Sequence, residues 1–336
     1  MQPDTPIPNI VQIELTNECN LECLQCYASS GKKKSNELST PEIKRVISEI
    51  YKAGTRIILF TGGEPLLHPD IIELCKTVKS YGLDFGINSN GTLLTNERAK
   101  ELSKLGIKFF SISLHGMKKS THETLCGKNS YDRVLKAIST SIRHNLPLII
   151  SSIISKVNHA EVPLILEYAT LIGAKGISVF RFLPIGRGLR FKNKLHVDNN
   201  LHKNVISDML SIASNSTKLI FRIEAPYVDT SWQDKKTIET VPCLAGAGVC
   251  TVTPDGDILG CNGLRDQSLV AGNVRDSEFG EIWSESTFFK QIRSVNKDWK
   301  KLCPSCERGD KCGGGCRAVA IAESNNIFAN DPYCFG

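Results

Sequence analysis

Several things are missing from this 336-residue sequence, and each absence narrows what it can be. No stretch approaches the ~18 consecutive apolar residues of a membrane-spanning helix, so no membrane partner is expected. The opening MQPDTPIPNIVQIEL has no basic segment followed by an apolar one, and does not read as a signal peptide. There is no low-complexity tract and no repeat beyond an alternation of strand-like and helix-like runs. Strong charge is missing too: 41 basic against 35 acidic residues leave a net charge of +6, spread along the chain. The one dense basic run, GKKK at 31–34, reads as a solvated loop, and no nucleic-acid partner is expected. The apolar fraction of 41% and charged fraction of 23% are ordinary for a globular protein. Together these features point to the cytoplasm, where thiols stay reduced. The 13 cysteines are therefore not a disulfide framework, and their clustering suggests metal or redox chemistry.

What is present is a regular alternation. Strand-like runs occur at 10–15, 56–62, 84–89, 108–114, 148–154 and 177–182. They are rich in Ile, Val and Phe and apolar on both faces, as buried parallel strands are. Amphipathic stretches at 40–54, 68–82 and 95–106 lie between them; in the first, Thr40 is the expected N-cap, Pro41 the first helical residue and Gly54 the stop. Six β/α units imply a parallel sheet with helices outside, either partly closed into a barrel or open, with chemistry at the carboxyl ends of the strands. A helix at 200–213 and a strand at 218–223 follow. Eight of the 13 cysteines then fall in the last 94 residues, which places a domain boundary near 235.

The first strand runs into TNECNLECLQC, where Cys19, Cys23 and Cys26 form a C-x3-C-x2-C array. Thiolates at such short spacing hold iron–sulfur clusters, and three ligands with an open place suit a catalytic metal. A structural zinc site borrowing a distant ligand is the alternative. The second strand ends in TGGEP, residues 61–65, where glycines allow close backbone approach and Pro65 stiffens the exit. The two motifs together resemble the radical S-adenosylmethionine (SAM) enzymes, over at least residues 10–190.

That resemblance implies a partial (β/α)6 parallel barrel as the α/β core. It also implies a [4Fe–4S] cluster on Cys19, Cys23 and Cys26, with SAM on the fourth iron. The reduced cluster cleaves SAM to a 5′-deoxyadenosyl radical that abstracts a substrate hydrogen, with electrons from a donor such as flavodoxin or ferredoxin. By position, Gly62, Gly63, Glu64 and Pro65 would meet the methionine amino group. Asn88, Ser89, Asn90, Ser111 and Ser113 would contact ribose or carboxylate. Arg181 and Arg187 would meet the SAM carboxylate or an anionic substrate. Many relatives carry an aromatic residue or His before the third cysteine; here it is Gln25, followed by Tyr27.

The C-terminal cysteines Cys243, Cys261, Cys303, Cys306, Cys312, Cys316 and Cys334 follow the order of the SPASM domain, a cysteine-rich extension that binds auxiliary [4Fe–4S] clusters. Asp255-Gly256 is a good turn for the hairpin carrying Cys261. Seven ligands are one short of two complete clusters, and Cys250 is the candidate eighth. The family pattern groups Cys243, Cys250, Cys261 and Cys316, and separately Cys303, Cys306, Cys312 and Cys334. Without Cys250, the first auxiliary cluster keeps an open iron. Two zinc knuckles are the alternative. The expected division is a radical SAM core over 1–235 and a SPASM domain over 236–336. Of the remaining thiols, Cys75 reads as a buried helix residue. Cys126, expected in a loop after the fourth strand, is either a packed residue or a hydrogen-atom donor to a substrate radical.

The implied function is a radical SAM oxidoreductase that modifies a ribosomally made peptide by crosslinking, thioether formation or epimerisation. The winged-helix-like segment with which many peptide-modifying relatives hold a leader is not recognised. A small-molecule reaction, such as dehydrogenation of a sugar or decarboxylation of a tetrapyrrole, therefore stays open. The rival of another class is a non-catalytic iron–sulfur carrier or zinc-binding interaction protein.

Overall fold

The computed structural model describes residues 6–214, 219–224, 238–241, 243–306, 312 and 314–334. Its first six strands are Ile10–Glu14 (β1), Ile57–Thr61 (β2), Asp84–Ser89 (β3), Phe109–Ser113 (β4), Leu148–Ile154 (β5) and Gly176–Arg181 (β6). Each lies within a residue of the run read from sequence. They pair in chain order, all parallel, and Ile220–Glu224 (β7) and Ile238–Val241 (β8) continue the series. Six helices cross between the first six strands: Thr40–Lys52 (α1), Ile71–Ser80 (α2), Asn96–Lys104 (α3), Lys119–Cys126 (α4), Tyr131–Arg143 (α5) and Val162–Leu171 (α6). This is the parallel α/β arrangement of a partial barrel. Among the described residues, no helix is long and apolar enough to cross a membrane.

Side-chain alternation divides the sheet into two faces. Val11, Ile13, Ile58, Phe60, Phe85, Ile87, Phe110, Ile112 and Ile150 lie on one and are fully buried in the main core. Ile43, Val46, Ile47 and Ile50 of α1 and Leu74, Cys75 and Val78 of α2 belong to the same core. Cys75 is thus the buried helix residue expected. The opposite face carries apolar side chains such as Leu59, Phe109 and Ile149, and small and polar ones toward the strand ends. Asn88 pairs in register with Ser111, and Ser113 with Ser151 and then Ser178. Helix α1 begins one residue earlier than expected. Ser39 is the N-cap, its backbone N–H donating to the Glu42 carboxylate at 2.7 Å, and Thr40 is already helical.

The sheet also grows on the other edge of β1. Val249–Val252 (β9) pairs with it in parallel, placing Cys250 opposite Val11. Asp257–Leu259 (β10) returns antiparallel and Gly272–Asn273 (β11) completes the edge. Gly256, at φ +93°, makes the turn between β9 and β10 that Asp255-Gly256 suggested. The described residues on both sides of position 235 therefore share one sheet and one core, which also takes in Phe279, Trp283 and Phe289. The indole N–H of Trp283 donates to the Pro6 carbonyl at 2.6 Å, and the backbone N–H of Phe279 donates to Glu49 at 2.9 Å.

A buried ion pair ties the end of β6 to the last described segment. The two guanidinium nitrogens of Arg181 donate one to each oxygen of Asp331, and the side chains are only 3% and 1% exposed. Asp331 also accepts from the backbone N–H of Cys316 at 2.8 Å. Asp331→Ala would strand a buried cation, a loss of about 3–5 kcal/mol. Its urea midpoint should fall well below that of Asp331→Asn, which keeps one acceptor.

Candidate active site

The loop after β1 carries Cys19, Cys23 and Cys26, and the turn after β2 holds it from one side. Gly63 N–H donates to the Thr16 carbonyl at 2.7 Å, and Glu64 N–H to the Glu18 carbonyl at 2.8 Å. These bonds require the two backbones to touch. A Cβ on Gly63 would sit 2.1 Å from the Glu18 oxygen, and one on Gly62, at φ +133°, 2.6 Å from the Thr16 oxygen. Pro65 starts the short 3-10 turn Pro65–Leu67 that leads the chain away.

Glu64 is completely buried. One carboxylate oxygen accepts from Leu66 N–H at 3.0 Å and Ser89 Oγ at 2.7 Å; the other accepts from Asn90 N–H at 2.8 Å. Burial raises its pKa, and these donors pull the other way. The residue expected at the SAM amino group is thus also the brace joining the ends of β2 and β3. It draws Asn90 to the cluster loop, where the Asn90 amide donates to Cys19 Sγ at 3.9 Å and to Asn20 at 2.9 Å. Asn88, Ser111 and Ser113 stand on the opposite face of the sheet from the helix-covered core.

Both arginines differ from expectation. Arg181 is occupied by Asp331, so its guanidinium braces the C-terminal segment and is not turned to a ligand. Arg187 donates to the carbonyls of Cys23, at 3.0 Å, and Ser30, and its own N–H bonds the Cys26 carbonyl at 2.9 Å. It clamps the cluster loop from the far side to the glycine turn. Both depart for one reason: the strongest available acceptors were backbone and carboxylate groups remote in sequence.

Cys126 is the last residue of α4, not part of a loop, and is 2% exposed. It packs with Leu21, Leu125, Phe182 and Leu195 in a satellite apolar cluster beneath the cysteine loop. Its sulfur accepts from Gln25 Nε2 at 3.8 Å. The three loop thiols sense one another: burial first, and then Cys23, Glu64 and Cys26, push Cys19 up to about 12.

The C-terminal thiols separate into two groups. Burial, then Cys243 and Cys316, raise the Cys261 thiol, which brings those three together. Cys303 is raised by burial and by Cys306 and Cys334. Cys312 is pushed up to about 11 by burial, with Cys334 and Asp331 adding to it. Cys250 joins neither group. It is fully buried on β9 within the main core, and the charged group it senses is Arg293. The eighth-ligand expectation for Cys250 is therefore not met: a strand residue whose side chain enters the core cannot turn to the cysteines at the strand's end.

Sequence reasoning missed Arg265 and Glu14. Arg265, four residues after Cys261, pairs with the buried Glu14 at the end of β1 and lies 5.0 Å over the Tyr27 ring. No local pattern announces it. The contact links the first C-terminal cysteine group to the residue following Cys26.

Among the described residues, no three Cys, His, Asp or Glu side chains converge as ligands of a single metal ion. Thiol-only groups suit a cubane, which carries its own irons and sulfides between the thiolates. Two outcomes follow. Gly63→Ala should keep the far-UV circular dichroism of the parent but lose about four iron atoms on reconstitution, one [4Fe–4S] cluster. Cys250→Ala should keep the parent's full iron content, whereas Cys261→Ala should not.

Residues 13–169 match the model of the radical SAM superfamily, and residues 243–307 match the SPASM iron–sulfur cluster-binding domain. The chain is 31% identical to an AdoMet-dependent heme synthase of Methanosarcina barkeri, over 98% of this chain and 97% of that one. It is 28% identical to the mycofactocin maturase MftC of Mycobacterium tuberculosis, over 96% of this chain and 81% of that one. Streptococcus suis SuiB bound to S-adenosylmethionine shares the fold, with a TM-score of 0.78 and 19% identity over 98% of this chain and 78% of that one. The chain belongs to the radical SAM superfamily, as an enzyme that uses [4Fe–4S] clusters and S-adenosylmethionine and carries a SPASM iron–sulfur domain toward its C-terminal end.

Proposed function

We propose that this enzyme oxidises a tetrapyrrole side chain, removing a propionate carboxylate as carbon dioxide and leaving a vinyl group. The observation that carries this reading is the 31% identity to the Methanosarcina barkeri heme synthase along almost the whole of both chains. When bound, the cluster and SAM supply a radical that takes one hydrogen atom from the propionate chain, and an auxiliary cluster takes the remaining electron as carbon dioxide leaves. In this reading Cys19, Cys23 and Cys26 hold the SAM cluster, and Gly62, Gly63, Glu64 and Pro65 cradle the methionine end. Asn88, Ser89, Asn90, Ser111 and Ser113 form the polar surface beside it.

Cys243, Cys261 and Cys316 hold one auxiliary cluster with an open iron, and Cys303, Cys306, Cys312 and Cys334 hold the other. The face of β4 to β6 beyond the cluster offers hydroxyls, with Ser151 and Ser178 in register with Ser113. Hydroxyls suit carboxylate side chains as hydrogen-bond donors. Residues 1–235 perform the radical step, residues 236–336 handle the electron, and a cytoplasmic flavodoxin or ferredoxin supplies the first one.

Modification of a peptide is the second reading, favoured by the 28% identity to MftC over 96% of this chain. One experiment separates them. Protein reconstituted anaerobically to about 12 irons, for three [4Fe–4S] clusters, is given SAM, dithionite and either an iron porphyrin rich in propionates or a candidate peptide. The first reading expects 5′-deoxyadenosine and a porphyrin lighter by carbon dioxide and two hydrogens. An unchanged porphyrin beside a modified peptide would replace it.

A further inference from the structure

We propose that an acidic one-electron carrier protein docks on the basic segment 187–195 and delivers its electron to the cysteine loop beneath. This rests on the reading that a flavodoxin or ferredoxin supplies the first electron, and adds where it binds.

Residues 183–197 follow β6 and include Arg187, Arg190, Lys192 and Lys194 without one Asp or Glu. They form two short helical turns, Arg187–Arg190 and Lys192–Leu195. The inner side is apolar: Leu195 is buried with Leu21 and Leu125 in the cluster against which Cys19, Cys23 and Phe191 pack. The outer side is open. Leu189 is 58% exposed, and Arg190 and Lys194 are exposed as well. Lys156 joins the patch, its backbone N–H donating to the Leu195 carbonyl at 2.9 Å and its Nζ to the Asn193 carbonyl at 3.4 Å. Against these cations stand Glu323, 2.6 Å from Lys192, Glu22 on the loop, and Asp198 after the segment, so the patch stays basic.

Small-molecule sites are concave, so a face this open fits a protein surface better than an anionic substrate. Opposite charge steers such an encounter, and Leu189 supplies an apolar centre within the polar rim. The segment also lies directly on the ligand loop. Arg187 N–H donates to the Cys26 carbonyl at 2.9 Å, and its guanidinium to the Cys23 carbonyl at 3.0 Å. A Cβ on Gly186 would sit 2.1 Å from the Tyr27 oxygen. Single hydrogen bonds thus join the segment to two of the three cysteines expected to hold the SAM cluster. The carrier loses one electron and that cluster gains it; no atom is exchanged.

The test pairs the reconstituted full chain with a flavodoxin of strongly negative net charge. Oxidised flavodoxin gives the affinity, and its hydroquinone, followed by stopped-flow absorbance, gives the transfer rate. Arg190→Glu with Lys194→Glu should weaken binding and slow transfer about tenfold at low ionic strength. The deficit should fade at about 1 M salt, where the Debye length is about 3 Å. Arg190→Gln with Lys194→Gln should show a smaller loss, and carries the test if the reversal does not fold. Lys100→Glu with Lys104→Glu, on α3, changes the net charge equally and should stay near the parent. With dithionite, every variant should form 5′-deoxyadenosine as the parent does. A parent-like rate in the double reversal overturns the proposal, as does an equal loss in the α3 variant. A parent that dithionite reduces but flavodoxin and ferredoxin do not would remove the underlying reading as well.

Discussion

β1 is the constraint on which the rest of the structure depends. It is flanked in parallel by β2 on one side and β9 on the other, with Val11 opposite both Ile58 and Cys250. Its carboxyl end becomes the cysteine loop, β2 ends in the glycine turn that grips that loop, and β9 opens the hairpin leading to Cys261. A slip of β1 by one residue would exchange Val11 and Ile13 for Gln12 and Glu14 in the core. It would also break the bonds from Gly63 and Glu64 to the loop carbonyls and the pairing of Glu14 with Arg265. The apolar pattern of five residues thus sets the frame for both cysteine-bearing regions. One-electron exchange is sensitive to separation, and a shared ladder is a stiffer spacer than a linker between independent bodies.

Much of this was legible in the sequence, and the reason is locality. Buried parallel strands announce themselves as short apolar runs, and C-x3-C-x2-C and GGEP keep their chemistry within a few residues. The DG turn at 255–256 is also a local matter of φ, and it stands where it was read. What could not be read is partnership at a distance. Arg181 looked like a ligand contact because its partner lies 150 residues away, and Arg187 likewise serves carbonyls 157 and 164 residues before it. Cys126 and Cys250 are alike as letters. One borders the loop of Cys23 and the other is enclosed in the main core, and burial with neighbours is what distinguishes them.

The arginines also bear on how the site treats charge. Arg181, Arg187 and Arg265 all approach the ends of the strands, and all three are committed to protein groups: Asp331, the loop carbonyls and Glu14. A buried pair of this kind adds little net stability compared with an apolar replacement of the same shape, but losing either partner is costly. Its effect is specification, since each pair has one geometry that satisfies it. Here the pairs seat the C-terminal segment and the cysteine loop against the sheet. The neighbouring polar surface is left mainly to amides and hydroxyls on β3 to β6. Such groups orient a charged cofactor or substrate without competing for it as a free cation would. Asn90, whose amide reaches Cys19 Sγ at 3.9 Å, is one such neutral donor beside the loop.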